Sequence, residues 1–221
     1  MTRRALLFDL DGTLLESRPG IVAALRHAMD VLGCPLDPAE DLSWAVGPPL
    51  ADVAARLLAP FGDDRHAALM TAYRARYDAH GLFDCAVYAG IPAVLDEFRA
   101  GGWRLFVATS KGGAVARRLL EHFRLAPWFE AIYGSDDDGA LAHKPELIAH
   151  ILAREALAPE ATLMLGDRRF DISGAHANDL RAVGVLWGYG GREELEQAGA
   201  DALAEHPAAL PVAAASLLRE R

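Results

Sequence analysis

ALLFDLDGT, residues 5–13, joins a short apolar run to two aspartates and a glycine. The run Ala5-Leu6-Leu7-Phe8 is typical of a β-strand buried on both faces, because it is compact, hydrophobic and closed by a turn. Asp9 and Asp11 would then lie at the carboxyl end of this strand. Neighbouring carboxylates repel each other unless a cation or a proton intervenes. A divalent metal, together with a covalent role for one aspartate, would account for the pair.

The rest of the chain divides into a helical segment and a segment of alternating strands and helices. Within 15–82 no credible strand is found, and amphipathic helices are predicted at 18–32, 50–58 and 64–80. Beyond residue 82, helices alternate with strands predicted at 104–108, 131–133, 162–165 and 182–187. This alternation predicts βαβ units and a parallel sheet. We therefore predict an α/β fold with a Rossmann-like core, residues 1–14 and 83–221, and a small all-helical cap, residues 15–82, inserted after the first strand.

Composition is that of an ordinary globular protein. The 221 residues are 52% hydrophobic and 24% charged, with a net charge of −9 and a pI near 5.3. This charge argues against nucleic acid or an anionic membrane surface as a partner. Cys34 and Cys85 match no metal-binding spacing. The amino-terminal apolar run is interrupted by aspartates and lacks the cleavage site of a signal peptide, so we expect a cytoplasmic protein. We expect it to be a monomer or a homodimer.

Polar residues follow several of the predicted strands. In a parallel sheet the carboxyl ends of the strands share one edge, where ligands bind. The residues collected at this edge are Asp9, Asp11, Thr109, Ser110, Lys111, Gly166, Asp167 and Asp171, with Lys144 at a helix start. Only two of the 22 basic residues are lysines, Lys111 and Lys144. In a chain that otherwise uses arginine, they indicate positions that need a compact ammonium group. The run Asp136-Asp137-Asp138-Gly139 is interpreted as a solvated loop.

With these motifs the chain resembles the haloacid dehalogenase superfamily, in the phosphatase branch that carries a small helical cap. The resemblance covers essentially the whole length and is strongest to phosphoglycolate phosphatase and 5′-nucleotidase-like enzymes. Asp-Leu-Asp-Gly-Thr at 9–13 matches the first family motif, and Gly-Asp-Arg-Arg-Phe-Asp at 166–171 matches the fourth. Thr109 and Lys144 match the second and third. The resemblance implies a haloacid dehalogenase-like fold, Mg²⁺ as cofactor and a small phosphorylated metabolite as substrate.

The resemblance also assigns roles to residues. Asp9 is the expected nucleophile, forming an aspartyl-phosphate, and Asp11 the general acid and then base. Asp9, Asp167 and the Asp11 carbonyl are expected to hold Mg²⁺, with Asp171 near the metal or Lys144. Lys144 offsets the charge on the transferring phosphoryl group. The remaining candidates for contact with phosphate or substrate are Thr109, Ser110, Lys111, Gly12, Gly47 and Pro48.

Alternatives within and outside the superfamily remain open to different degrees. A sugar phosphomutase would share every core motif. A metal-independent haloacid dehalogenase lacks the second aspartate, so Asp11 argues against it, and the absence of lysine from 15–82 excludes the Schiff-base chemistry of phosphonatases. A non-catalytic binding protein would be credible if a motif residue were missing, and none is. The identity of the phosphate ester is not predicted.

Overall fold

A six-stranded parallel sheet forms the core of the protein in the computed structural model, which describes residues 3–136 and 139–219. Its strands are β1 (Ala5–Phe8), β4 (Arg104–Gly112), β5 (Ala131–Ser135), β6 (Thr162–Gly166), β7 (Arg181–Val185) and β8 (Ala202–Ala204). They lie in the order β5-β4-β1-β6-β7-β8. Because β1 pairs in parallel with both β4 and β6, its carboxyl end lies where the order of the strands reverses. The predicted α/β fold with a parallel sheet is confirmed.

Helices cover both faces of this sheet. They are α4 (Ile91–Ala100), α5 (Gly113–His122), α6 (Lys144–Glu155), α7 (Arg169–His176), α8 (Gly191–Gln197) and α9 (Leu210–Arg219). Successive side chains of a strand point to opposite faces. Leu6 and Phe8 accordingly pack in the cluster that includes residues of α4, α5 and α9, whereas Ala5 and Leu7 pack with α6 and α7. All four residues of β1 are fully buried, as their composition predicts.

Three helices lie between β1 and the rest of the sheet in sequence: α1 (Arg18–Val31), α2 (Leu50–Leu58) and α3 (His66–Arg76). A single π-helical turn, Tyr77–Gly81, extends α3. The absence of side chains at Gly20 and Gly81 lets α1 and this turn approach closely, since a Cβ at Gly20 would lie 2.1 Å from the Gly81 carbonyl oxygen. The apolar side chains of α1, α2 and α3 pack in the same hydrophobic cluster as Leu6 and Phe8 of the sheet.

The prediction of no strand within 15–82 is wrong. Strand β2 (Leu15–Glu16) pairs antiparallel with β3 (Ala86–Val87) and forms a two-stranded ribbon between the helical segment and the sheet. Two residues are too few to show the alternation by which strands are recognised, so only the pairing across about 70 residues of chain reveals them. The ribbon crosses the predicted boundary between cap and core.

Other predicted boundaries also shift. Strand β4 continues to Gly112 with an irregular register after Ala108, so Thr109, Ser110 and Lys111 belong to the strand instead of following it. Helix α7 begins at Arg169, earlier than predicted, while α8 and β8 were not predicted at all. Asp137 and Asp138 lie outside the described residues. Among the described residues, no helix has both the length and the apolar character that a membrane crossing requires.

Candidate active site

The candidate site is built where β1 and β6 end side by side. The Asp9 amide donates a hydrogen bond of 2.9 Å to the Leu165 carbonyl, which continues the pairing of the two strands. Asp9 and Asp167, each the residue after its strand, are thereby brought to one edge. The turn after β1 needs Gly12, which has a φ of +86°, and a Cβ there would lie 2.3 Å from an Asp167 oxygen.

Three buried carboxylates and one ammonium group form the centre of the site. One oxygen from each of Asp9, Asp167 and Asp171 lies within 4.8 Å of the others. Lys144 Nζ lies 2.8 Å from Asp9 Oδ1 and 2.6 Å from Asp171 Oδ1, and donates a 2.8 Å hydrogen bond to the Ala108 carbonyl. This lysine therefore joins the end of β1 and the middle of β4 to the first turn of α7.

Burial and mutual repulsion dominate the electrostatics of this cluster. Burial, offset in part by Lys144 and reinforced by Asp171, raises the pKa of Asp9 to about 7. Burial and the charges of Asp9 and Asp171 raise the pKa of Asp167 well above its usual range. Burial opposes the charge of Lys144, but Asp171 and Asp9 outweigh it and raise the pKa of its ammonium. The cluster therefore carries more negative charge, when ionised, than its single lysine can neutralise.

The donor set of the cluster fits a hard divalent cation. Carboxylate oxygens are the ligands that Mg²⁺ prefers, and it is usually held by one or two of them together with water and substrate oxygens. Asp9, Asp167 and Asp171 supply such oxygens close together, with excess negative charge in a buried position. These three residues could hold Mg²⁺ in this chain. A contribution from the Asp11 carbonyl stays a prediction.

Asp11 lies beside this cluster with its own partners. Its Oδ1 accepts a 2.6 Å hydrogen bond from Ser17 Oγ, and its Oδ2 lies 2.9 Å from Lys111 Nζ. Lys111 in turn donates a 3.1 Å hydrogen bond to the Tyr77 hydroxyl, in the turn that follows α3. Burial opposes the charge of Lys111, but Asp11 and Tyr77 raise its pKa well above the ordinary value. The ammonium predicted to contact phosphate is thus paired with the predicted acid and base.

The other predicted substrate contacts are distributed around the cluster. Thr109 is buried at 2% exposure, and its Oγ1 accepts a 3.2 Å hydrogen bond from the Lys111 amide. Ser110, next to it, is half-buried. Gly47, with a φ of +107°, lies against the side chain of Arg168, beside Asp167, and Pro48 follows it. Contact of these residues with a substrate stays a prediction.

Comparison with known proteins shows which family the chain belongs to. Residues 6–185 match the haloacid dehalogenase-like hydrolase family. The chain belongs to this family. It is 40% identical over 190 residues to a 5′-nucleotidase of Pseudomonas aeruginosa, with 86% of each chain covered. It is also 31% identical over 188 residues to a phosphoglycolate phosphatase of Cereibacter sphaeroides, covering 83% of this chain and 85% of the relative. The resemblance inferred from the motifs is confirmed.

Two further matches are a solved structure and a protein with a longer chain. A predicted phosphatase from Clostridium acetobutylicum superposes with a TM-score of 0.89 and 32% identity, over 99% of this chain and 100% of the other. Tyrosine-protein kinase PtkA of Mycobacterium tuberculosis is 40% identical over 185 residues. That match covers 84% of this chain but 62% of PtkA, so the haloacid dehalogenase-like hydrolase described here spans less than two thirds of PtkA's length.

Several residues of this hydrolase site were not predicted from the sequence. The Tyr189 amide donates a 2.8 Å hydrogen bond to Asp167 Oδ2, and Thr13 Oγ1 donates a 3.3 Å bond to Asp167 Oδ1. The Tyr189 hydroxyl accepts hydrogen bonds of 2.9 and 3.1 Å from the Ser17 and Arg18 amides at the start of α1. Tyr189 thus links a carboxylate of the acidic cluster to the first helix after β2.

A signal for Tyr189 was present in the glycines that flank it. A Cβ at Gly188 would lie 2.2 Å from the Asp167 Cβ, and a Cβ at Gly190 would lie 2.1 Å from the Asp167 carbonyl oxygen. The loop therefore encloses Asp167 in a way that only glycine permits at these two positions. Gly-x-Gly after a predicted strand indicates close backbone approach, but it does not identify what is approached.

Proposed function

We propose that this protein is a Mg²⁺-dependent phosphomonoesterase that forms an aspartyl-phosphate on Asp9. The observation that carries the proposal is the buried contact of Asp9 with Lys144, inside a cluster of three carboxylates. A phosphate monoester is an anion, and a carboxylate can approach it only where positive charge offsets the repulsion. Lys144 supplies one such charge, and bound Mg²⁺ would supply more by neutralising negative charge on the phosphoryl oxygens.

The residues divide the reaction into two displacements. In the first, an Asp9 oxygen forms a bond to phosphorus, the ester bond breaks, and Asp11 gives its proton to the leaving oxygen. In the second, Asp11 takes a proton from water, the water oxygen attacks phosphorus, and inorganic phosphate leaves with Asp9 restored. Ser17 and Lys111 hold the two oxygens of the Asp11 carboxylate and so fix the orientation of the group that would take up and give back the proton.

The proposed substrate is a small phosphorylated metabolite. The chain is similar to relatives named 5′-nucleotidase and phosphoglycolate phosphatase, whose substrates differ mainly in the group that leaves. The proposed phosphoryl site lies at the carboxyl edge of the sheet, and Gly47 and Tyr77 of the helical segment contact Arg168 and Lys111 beside it. A screen of phosphate release from phosphoglycolate, nucleoside monophosphates and sugar phosphates would identify the leaving group.

Transfer to an acceptor other than water is the alternative, as in a sugar phosphomutase, which shares the same core motifs. The similarity to a protein named tyrosine-protein kinase adds a tyrosine hydroxyl to the phosphoryl acceptors that should be tested beside water. Release of inorganic phosphate in proportion to ester consumed supports the phosphatase. Conversion of one sugar phosphate to its isomer without phosphate release would favour the mutase.

Substitution of the nucleophile gives the direct test. Asp9→Asn should reduce hydrolysis of para-nitrophenyl phosphate by about a thousandfold or more, since the amide cannot form the covalent intermediate. The fold should be retained, because the change removes a repelling charge. Asp30→Asn, an exposed aspartate of α1, is the matched control and should hydrolyse the ester at the wild-type rate. Wild-type turnover by the Asp9 variant would contradict the assignment, as would full activity in EDTA.

A further inference from the structure

Arg168 follows Asp167 in the loop between β6 and α7, and it is 4% exposed. Its Nε pairs with Glu194 Oε1 at 2.9 Å, and one of its terminal nitrogens donates a hydrogen bond to the Val46 carbonyl. Its aliphatic part lies against Gly47, where a Cβ would come within 2.9 Å of the Arg168 Cγ. A side chain of the sheet core is thus seated on the loop 46–48 that precedes α2.

The backbone of Arg168 belongs to the catalytic cluster. It directly follows Asp167, and its amide donates a 3.1 Å hydrogen bond to Asp171 Oδ2. Glu194 Oε1 also accepts a 2.9 Å bond from the Arg169 amide, which fixes the glutamate to the start of α7. One residue therefore connects two carboxylates of the site to the loop opposite them.

The chemistry of this contact requires arginine. A buried guanidinium needs several acceptors, and its planar fork serves Glu194 and the Val46 carbonyl at the same time. Lysine presents a point charge on a shorter reach and could serve only one of them well. The Gly47 backbone, at a φ of +107°, makes room for the arginine stem. Loop and arginine are complementary in shape as well as in hydrogen bonding.

We propose that Arg168 is a positioning residue that fixes the loop 46–48 over the phosphoryl site and thereby determines the fit of the leaving group. In its kinetic consequences the inference rests on the proposed phosphatase function, but the docking of the loop does not. Substrates with a leaving group should depend on Arg168, whereas inorganic phosphate, which has none, should not.

The first arm of the test measures the loop itself. In Arg168→Lys, hydrogen exchange at the amides of residues 44–53 should accelerate about tenfold over the wild type, because a charge-assisted hydrogen bond is lost. Arg169→Lys is the matched control: it is the next residue, it is exposed, and its side chain lies over Phe170. Wild-type exchange in the Arg168 variant would overturn the proposal, whether or not the protein is a phosphatase.

The second arm separates binding of the leaving group from binding of phosphate. For Arg168→Lys, KM for para-nitrophenyl phosphate should rise about tenfold with kcat little changed, while Ki for inorganic phosphate stays at the wild-type value. An equal rise in both constants would overturn the proposal, because it would show a general disturbance of the site. Absence of hydrolysis in the wild type would reject the proposed function and leave the exchange arm to decide on Arg168.

A milder variant covers the case in which Arg168→Lys does not fold. Glu194→Gln keeps the arginine and weakens the pair that orients it, so exchange at residues 44–53 should accelerate by a smaller factor. Glu193→Gln, in the same turn of α8 and exposed, is its control. Unchanged exchange in Glu194→Gln would overturn the role assigned to the pair of Arg168 and Glu194.

Discussion

At the scale of single residues, the buried ammonium group of Lys144 lies among oxygens at the end of β1, in β4 and in α7. The residue is 3% exposed and contacts two carboxylates and a carbonyl oxygen. A lysine in such a position is stable only because its partners compensate the loss of water. The same contacts place its charge beside the proposed nucleophile. Both the stability of the fold and the proposed reaction therefore require a compact cation at this position.

Removal of this charge should destabilise the protein as well as inactivate it. Lys144→Met leaves Asp9 and Asp171 buried without their cation, and we expect a loss of about 3–5 kcal/mol in the free energy of unfolding. Urea denaturation of the metal-free protein measures it. Arg154→Met, exposed in the last turn of α6, is the control. Adding Asp171→Asn to Lys144→Met should recover part of the loss; no recovery would argue against repulsion as its cause.

At the scale of elements, the turn after β1 positions the site through close backbone contact. Gly12→Ala would impose a left-handed φ of +86° on alanine and bring its Cβ against an Asp167 oxygen at 2.3 Å. We expect Mg²⁺ affinity to fall by about 10- to 100-fold, as for other changes that displace a metal ligand. Isothermal titration with Mg²⁺ measures this.

Gly33→Ala is the matched control for the turn. Gly33 has a φ of +73° with nothing within 4 Å of a Cβ, so it reports backbone strain alone. It should lose about 1 kcal/mol of stability and bind Mg²⁺ like the wild type. Equal Mg²⁺ affinity in both variants would show that the contact with Asp167 does not matter.

The start of α1, directly after β2, is held by the Tyr189 hydroxyl. In Tyr189→Phe, the Ser17 and Arg18 amides lose their acceptor at the start of α1, which should cost about 1–2 kcal/mol of stability. Thermal unfolding measures the effect. The Tyr189 hydroxyl also donates a 3.2 Å hydrogen bond to Glu16. Tyr88→Phe is the control, because the Tyr88 hydroxyl donates a 3.0 Å hydrogen bond to the same glutamate without contacting these amides. A loss in Tyr88→Phe as large as that in Tyr189→Phe would assign the effect to Glu16.

At the scale of the whole molecule, polar contacts join the helical segment to the sheet core. Lys111 contacts Tyr77, Arg168 contacts the Val46 carbonyl, and Arg118 pairs with Asp78 at 3.1 Å. In each pair the core contributes the cation and the helical segment the oxygen. These contacts hold the helical segment and the sheet core together beside the acidic cluster. The negative charges of that cluster must then be balanced within the protein.

We expect the acidic cluster to make stability dependent on both pH and Mg²⁺. Because the pKa of Asp9 is raised to about 7, the metal-free folded protein holds a proton that the unfolded chain releases. Its contribution to stability therefore falls as pH rises from the ordinary aspartate range through about 7. Bound Mg²⁺ replaces the proton. We expect the Mg²⁺-induced rise in Tm to be larger at pH 8 than at pH 6; the reverse order would contradict the coupling.

Much of the fold and site was determined by the sequence alone. The buried strand before Asp9, the alternation of strands and helices, and the acids and lysine of the cluster are all legible in it, since local periodicity and side-chain chemistry are properties of short segments. The family follows from the same motifs. Strand β2 and the start of α7 were missed or misplaced, because two-residue pairing and helix capping leave little local pattern.

Tertiary structure decided the remaining contacts. The pairing of Lys111 with Asp11, the acceptor role of the Tyr189 hydroxyl toward the Ser17 amide and the contact of Arg168 with the Val46 carbonyl join residues that are 100, 172 and 122 positions apart in sequence. No periodicity records such distances. These contacts form only when β1 comes to lie between β4 and β6 and the helical segment folds back toward the carboxyl edge of the sheet. Charge and hydrogen bonding act through space and not along the chain.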